Sequence, residues 1–277
     1  MIVEPDTFKL HLQVLKEEFT LIPLNEWVAR KNRNLSLPEK ACAITFDDGW
    51  LDNYEYAFPL LEQASIPATL FAVSDMIGTS EAFWPNRVVR LLQQPADKRD
   101  SISWLQNISS SQPVNAEASA QAIYSLKDYP DHHLLQLIES AEQELGLDQE
   151  SMPSLMDWQQ LRQLSDNKLF DIGSHTCHHF RLSENLDHGI MQQEVAESKR
   201  RLEKELDKPV DLFCFPNGDY CNNSLKEVAK HYKAAVTTRS GINESSSTNL
   251  FKLHRFGVHQ DISFNRRKLL ARLADWP

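Results

Sequence analysis

Apolar positions repeat in more than one way along this chain, and the change of rhythm outlines its parts. Residues 7–19, "TFKLHLQVLKEEF", place Phe8, Leu12, Leu15 and Phe19 at helical spacing, with Thr7 or Asp6 as the N-cap. "LIPLNEWVARKN" reads as a short strand followed by a helix. Residues 41–46, "ACAITF", are apolar throughout except for Thr45, the pattern of a strand buried on both faces. "YEYAFPLLEQAS" then reads as a helix and "PATLFAV" as a second buried strand. Strand, helix and strand at this spacing form a βαβ unit, which implies a parallel sheet.

From residue 79 to about 150 the rhythm differs. The polar stretch "NISSSQPVNAEASAQ" lies among helix-like segments such as "RVVRLLQQ" and "HHLLQLIESAEQEL", and no strand alternation stands out. This reads as a mostly helical insertion within one α/β domain spanning 1–277. The β/α pattern then returns. It runs through helix "SLMDWQQLRQLSD", strand "LFDIGS", helix "HGIMQQEVAESKRRLEKEL", strand "VDLFCF", helix "NSLKEVAKHY", and strands "KAAVTT" and "FKLHRFGV". An open doubly wound sheet and a barrel both satisfy this order.

Composition narrows the partners. The 277 residues carry a formal charge of −10, with 39 acidic against 29 basic side chains. That disfavours nucleic acid, whose affinity comes largely from Lys and Arg neutralising phosphates. Apolar residues make up 41%, enough for a sizeable core, yet no run approaches the ~20 apolar residues of a membrane span. The N-terminal stretch has acidic residues where a secretory leader is basic and lacks an apolar core, so the expectation is a cytoplasmic protein. Four cysteines, Cys42, Cys177, Cys214 and Cys221, form no CxxC pair, so neither a disulfide framework nor a zinc knot is indicated.

Two charged clusters carry the chemistry. "AITFDDGW" sets Asp47 and Asp48 side by side where the first buried strand gives out. "DIGSHTCHHF" sets His175, His178 and His179 just past another strand. Residues four apart on a helical turn share a face, so His175 and His179 reach one cation, as His175 and His178 also could. Two imidazoles and one carboxylate form an open set for a catalytic divalent metal. Taken singly, each cluster reads as a solvated turn. Together they occupy the same topological place, the C-terminal ends of parallel strands, where α/β folds keep their sites.

"TFDDG" at 45–49, "HTCHH" at 175–179 and "FCFPNGDY" at 213–220 resemble, in order, the first three motifs of the polysaccharide deacetylase (NodB-homology) family. The match spans roughly 3–78 and 152–260 and leaves the helical insertion unexplained. The resemblance implies a distorted (β/α) barrel with fewer than eight regular strands. It implies that Asp48, His175 and His179 hold a divalent metal, most often zinc, with cobalt, nickel or iron as alternatives. Asp47 is then the general base, and a metal-activated water removes N-acetyl groups from amino sugars of a glycan or glycan precursor. An N-acetylated saccharide is the implied partner, and the backbone N–H of Asn217 the implied oxyanion donor.

Other positions stay open between a role and simple packing. Trp50, Tyr220 and Trp84 either stack on a sugar ring or pack. Thr176 is expected to fix the histidine turn by hydrogen bonding, Cys177 to pack as a small side chain, and His178 to lie at the surface or behind the ligands. Two departures from the family stand out. Cys214 occupies the third-motif position at which many members carry an Arg that orients the base, and Arg255 in "KLHRFGV" is the candidate substitute. The acid that protonates the leaving amine is His254 or, behind it, His259. Two alternatives remain, a hydrolase of another C–N or ester bond and a glycan-binding protein with impaired catalysis.

Overall fold

The computed structural model describes residues 2–108, 115–147, 155–244 and 248–274. Among these described residues are seven strands: β1 (Thr20–Leu21), β2 (Ala41–Cys42), β3 (Ile44–Phe46), β4 (Ala68–Ala72), β5 (Phe170–Ser174), β6 (Leu212–Cys214) and β7 (Ala234–Val236). The strands β3-β4-β5-β6-β7 pair in sequence order, every pair parallel, into one curled sheet, a half-barrel. β1 and β2 form a separate parallel pair. The fold is the expected barrel-like α/β architecture with few regular strands.

Strand alternation divides the sheet into two faces. On the inner face Phe71, Leu212, Cys214, Ala234 and Val236 pack against Ile22 and against Leu24, Trp27 and Val28 of the helix Leu24–Asn32. Phe71 lies so close to β5 that a Cβ on Gly173 would meet its ring at 2.5 Å, so only glycine fits opposite it. Outside, the helix His188–Leu206 buries Met191, Val195, Ser198, Leu202 and Leu206, a stripe at helical spacing. Full burial of such an aliphatic side chain stabilises by about 1.5–3 kcal/mol, so this stripe holds the helix in place.

Three expectations are corrected, and a fourth, the helix after the aspartate pair, holds with a π-helical first turn. The run "ACAITF" is not one strand buried on both faces. It splits at Ala43, pairing first with β1 and then with β4, and all of its residues remain partly exposed because β2 and β3 are each an edge of their sheet. "FKLHRFGV" is not a strand either, since only a single parallel bridge joins Leu253 to Val236. The first helix runs Pro5–Glu18, with Pro5 in its first turn and no side-chain cap, in place of a Thr7 or Asp6 cap. Proline's fixed φ and missing N–H suit that position. After the aspartate pair, a π-helical turn at Asn53–Ala57 precedes the α-helix Phe58–Ala64.

The chain divides into two compact units, Met1–Thr79 with Pro153–Pro277, and Ser80–Met152. The second holds only helices among its described residues and has its own core, in which Val88, Leu91, Leu105, Leu134 and Ile138 are fully buried. Trp84 belongs to that core, so it packs. Part of the polar stretch at 107–121 lies outside the described residues, as does Ser154 at the start of a predicted helix.

Asp171, on β5, gives a prediction about stability. Burial pushes its carboxyl from the ordinary 3.8 up to about 6, and the Asn25 amide donates to it at 2.9 Å. A raised carboxyl pKa means its favourable contribution is complete below the unfolded value and is lost as pH rises through about 6. A two-unit gap is worth at most about 2.7 kcal/mol, and solvent access reduces it to about 1 kcal/mol. Asp171→Asn keeps an acceptor for Asn25 and removes the charge. Urea unfolding is expected to show it about 1 kcal/mol more stable than the parent at pH 7.5, with the gap shrinking at pH 4.5. An equal gap at both pH values would refute this account.

Candidate metal centre

Because the five strands are parallel, their C-terminal ends form one rim. Asp47 and Asp48 follow β3 there, His175 follows β5, Phe215 and Pro216 follow β6, and Thr237 follows β7. The chain continuing from β4 fastens the two motif loops together. The N–H of Val73 donates to the Asp48 carbonyl (3.4 Å), and those of Ser74 and Asp75 donate to the carbonyls of Thr176 (3.1 Å) and Cys177 (3.0 Å). The loops carry left-handed backbone at Asp48 (φ 74°), Thr176 (φ 66°) and His179 (φ 62°). Such strain persists only where surrounding contacts over-determine it, and it clusters at functional sites.

The loops bring Asp48, His175 and His179 together. Asp48 Oδ1 lies 3.4 Å from Nε2 of His175 and 3.4 Å from Nε2 of His179. That is long for a hydrogen bond. It is the separation expected of donors sharing a cation, since ligand distances of about 2.0–2.1 Å in a tetrahedral shell set donors about 3.3–3.4 Å apart. The histidines converge through two left-handed residues and not along a helical turn; the helical premise of the sequence reading is corrected.

A second grouping, Asp47 with His175 and Cys214, also lies within ligand reach. Hydrogen bonding decides against it. His175 Nδ1 faces the Cys214 carbonyl at 2.8 Å, and a carbonyl only accepts, so Nδ1 carries a proton and Nε2 is the nitrogen turned to Asp48. Both Asp47 oxygens are taken by Arg255, whose Nη1 donates to Oδ1 (2.7 Å) and Nη2 to Oδ2 (2.8 Å). The donors Asp48, His175 and His179 therefore fit a divalent cation. Two imidazoles and a carboxylate suit zinc, and also cobalt, nickel or iron.

Arg255 is anchored at several points of the rim. Its guanidinium also donates to Thr45 Oγ1 (3.1 Å) and the Thr237 carbonyl (2.9 Å), and its Nη2 contacts Cys214 Sγ (3.2 Å). Cys214 is small enough to let this side chain cross to Asp47. The resulting field is uneven. Burial would raise the Asp47 carboxyl, but Arg255 outweighs it and holds Asp47 far below the usual carboxylate range. Burial likewise opposes ionisation of Asp48, yet His175 and His179 bring its pKa below the ordinary value. Burial, and then the charge of His175, hold His179 down to about 4, so it is neutral and able to ligate near pH 7. Burial would also lower His175, but the net shift is well upward, with Cys214, Asp48 and Asp47 opposing it. Burial raises the Cys214 thiol, which is then neutral near pH 7, so the two aspartates carry that elevation. Asp47 keeps 30% of its side chain exposed while His175 keeps 2%, so the cluster opens toward solvent on its carboxylate side.

The remaining candidates are placed as follows. The Trp50 indole N–H donates to Asp48 Oδ2 at 2.8 Å, which gives this side chain a polar role that the sequence reading does not foresee. Tyr220 packs against Phe215 (ring centroids 5.4 Å apart), with the Arg239 and Lys252 cations 5.3 and 5.2 Å from its ring. Asn217 is exposed, with left-handed backbone, and its carbonyl accepts from Thr238 Oγ1 at 2.9 Å. The His254 ring lies against Gly241, and its backbone is bracketed by the Asn243 side chain at 2.9 Å on both N–H and C=O. Among the described residues, no hydrogen bond or ion pair joins His254 to the aspartate–histidine cluster. Thr176 does not hold its turn by its hydroxyl, which is buried with no partner among the described residues; its carbonyl makes the contact instead.

Sequence reasoning misses Glu194. Buried on the helix His188–Leu206, it accepts the N–H groups of Cys177 (3.0 Å) and His178 (2.9 Å) through Oε2 and meets His178 Nδ1 through Oε1 at 2.6 Å. The signal that could find it is a carboxylate on the same buried stripe as Met191 and Ser198. His178 thus braces the loop from its half-exposed outer side, and Cys177 is buried.

The polysaccharide deacetylase family model matches residues 34–236. Over 226 residues the chain is 23% identical to a Bacillus subtilis protein named "Putative polysaccharide deacetylase YxkH". The alignment covers 81% of this chain and 54% of that protein, so the chain spans about half the length of this relative. In fold it is similar to the Streptococcus pyogenes deacetylase PplD in complex with acetate, with TM-score 0.64 and 19% identity over 99% of this chain and 88% of that one. It is also similar to IcaB from Ammonifex degensii, with TM-score 0.63 and 16% identity over 97% and 89% of the two chains. At these identities the structural likeness concerns fold alone. The family match, which takes in most of the chain and runs from before the paired aspartates to the end of β7, settles membership: this chain belongs to the polysaccharide deacetylase family.

Proposed function

We propose that the protein is a metal-dependent carbohydrate N-deacetylase, releasing acetate from N-acetylated amino sugars of a glycan or glycan precursor. The observation that carries this reading is Asp48 Oδ1 standing 3.4 Å from two histidine Nε2 atoms, beside a second aspartate clamped by an arginine and excluded from the set. Asp48, His175 and His179 would hold the cation, for which zinc is the first choice. A divalent cation there supplies Lewis acidity, acidifying water and polarising the amide carbonyl.

The chain's own residues do the rest. Asp47, kept ionised and oriented by Arg255, takes the proton from the attacking water. A carboxylate at the open edge of the site suits this task, because each of its oxygens retains a lone pair beyond the arginine contact. The N–H of Asn217, on a peptide pinned by Thr238, is assigned to the oxyanion developing on the carbonyl oxygen. The C–N bond then breaks, and the amine nitrogen takes a proton from His254, the assigned acid. Acetate and a free amino sugar leave. Within this reading, residues 80–152 form an insertion between β4 and β5 of a single deacetylase-like domain.

The test is acetate release from a panel of N-acetylated and O-acetylated saccharides. Activity is expected on N-acetyl substrates, to vanish after chelation, and to return with zinc or cobalt. Undiminished activity after exhaustive chelation would sink the metal-dependent reading, and release confined to O-acetyl substrates would replace the amide with an ester.

A further inference from the structure

The two oxygens of Asp48 face different partners. Oδ1 is turned toward both imidazoles, whereas Oδ2 accepts the indole N–H of Trp50 at 2.8 Å. Trp50 is itself held from several directions. An antiparallel bridge ties it to Leu155, its carbonyl accepts from the Asn53 N–H at 3.1 Å, and the adjacent Gly49 carbonyl accepts from the Met156 N–H at 2.9 Å. Gly49 has φ 95°, and a Cβ there would meet Ile77 Cδ1 at 2.8 Å, so this turn admits no other residue without rearrangement. The segment before the helix Trp158–Asp166 thus holds the backbone of Gly49 and Trp50, and the indole N–H holds one carboxylate oxygen.

On the metal-site reading proposed above, we infer that Trp50 is a positioning residue for Asp48, and that its N–H reserves Oδ2 so that Oδ1 alone is presented to the cation. A carboxylate free to rotate would offer both oxygens and occupy positions that water and substrate need. An indole N–H is a donor with no acceptor capacity, so it cannot be replaced at this point by a phenyl ring or by an acceptor. Partners that hydrogen-bond a ligating carboxylate typically govern metal affinity by about 10–100-fold. The arrangement also separates two uses of Trp50: a sugar platform needs the ring face, while this role needs the nitrogen.

The experiment compares the parent with Trp50→Phe and with Trp50 replaced by benzothienylalanine, which keeps the bicyclic shape and lacks the N–H. Dissociation constants for zinc and cobalt are measured by chelator competition, alongside the visible absorption of the cobalt form and KM for an N-acetylated saccharide. Both variants are expected to bind cobalt about 10–100-fold more weakly, with an altered cobalt spectrum and near-parental KM. Because benzothienylalanine preserves packing, its result stands even if Trp50→Phe folds poorly. Parental metal affinity and spectrum in the benzothienylalanine protein overturn the inference, and a KM then raised in Trp50→Phe but not in the benzothienylalanine protein makes Trp50 a sugar platform instead. A parent protein that binds neither metal overturns the metal-site reading itself, which is a distinguishable failure.

Discussion

Asp47→Asn is expected to lower acetate release by about 100- to 10,000-fold, the usual contribution of a general base, while leaving the dissociation constant for zinc unchanged. The separation of these effects follows from the hydrogen bonding. Asp47 gives both oxygens to Arg255 and none to the histidines, so it lies outside the donor set although it adjoins Asp48 in sequence. An amide in its place cannot take up a proton. It also leaves the Arg255 guanidinium without its counter-charge in a largely buried setting, where losing a partner commonly costs about 3–5 kcal/mol. A fall in melting temperature is therefore expected beside the loss of turnover, and assays belong well below the new midpoint. Retained turnover in a folded, zinc-loaded Asp47→Asn protein would count decisively against the base assignment.

His175→Ala is expected to fail differently, with activity and metal affinity lost together. His175 is 2% exposed, its Nε2 faces Asp48 and its Nδ1 proton is committed to the Cys214 carbonyl. Removing it deletes one of three donors and leaves a buried carbonyl without its partner, a desolvation cost of about 1–3 kcal/mol. Zinc affinity should fall by more than the ~10–100-fold that losing an outer partner costs, because a ligand itself is gone. Chelator competition reads this directly. His178→Ala is the control, since His178 meets Glu194 and not Asp48. If His178→Ala lost the metal and His175→Ala kept it, the ligand set would be Cys177, His178 and Glu194, which also lie within reach of one ion.

Much of the fold could be read from the order of apolar runs, because a strand covered by helices on an α/β sheet needs a continuous apolar segment. "PATLFAV", "LFDIGS", "VDLFCF" and "KAAVTT" all contain strands, and the helix His188–Leu206 matches its apolar period from end to end. The run at 41–46 misled because apolar content does not reveal where a chain passes from one sheet to another. "FKLHRFGV" misled because its β-like composition serves a different purpose, carrying Arg255 across the rim with only one bridge to β7.

Residue order alone marks the candidate side chains and assigns them to one rim. Paired aspartates and spaced histidines at the ends of apolar runs must lie on one rim once the strands are parallel, since every βαβ crossover returns the chain in the same direction. Tertiary structure decided how those side chains are used. Arg255 reaches Asp47 across 208 residues of chain, Glu194 braces the histidine loop from a helix, and Trp50 takes one oxygen of Asp48. Each of these depends on placement to within a fraction of an ångström and on which lone pair is already occupied. Residue order carries no direct record of either, because hydrogen-bond direction is fixed only when the packed elements close on one another.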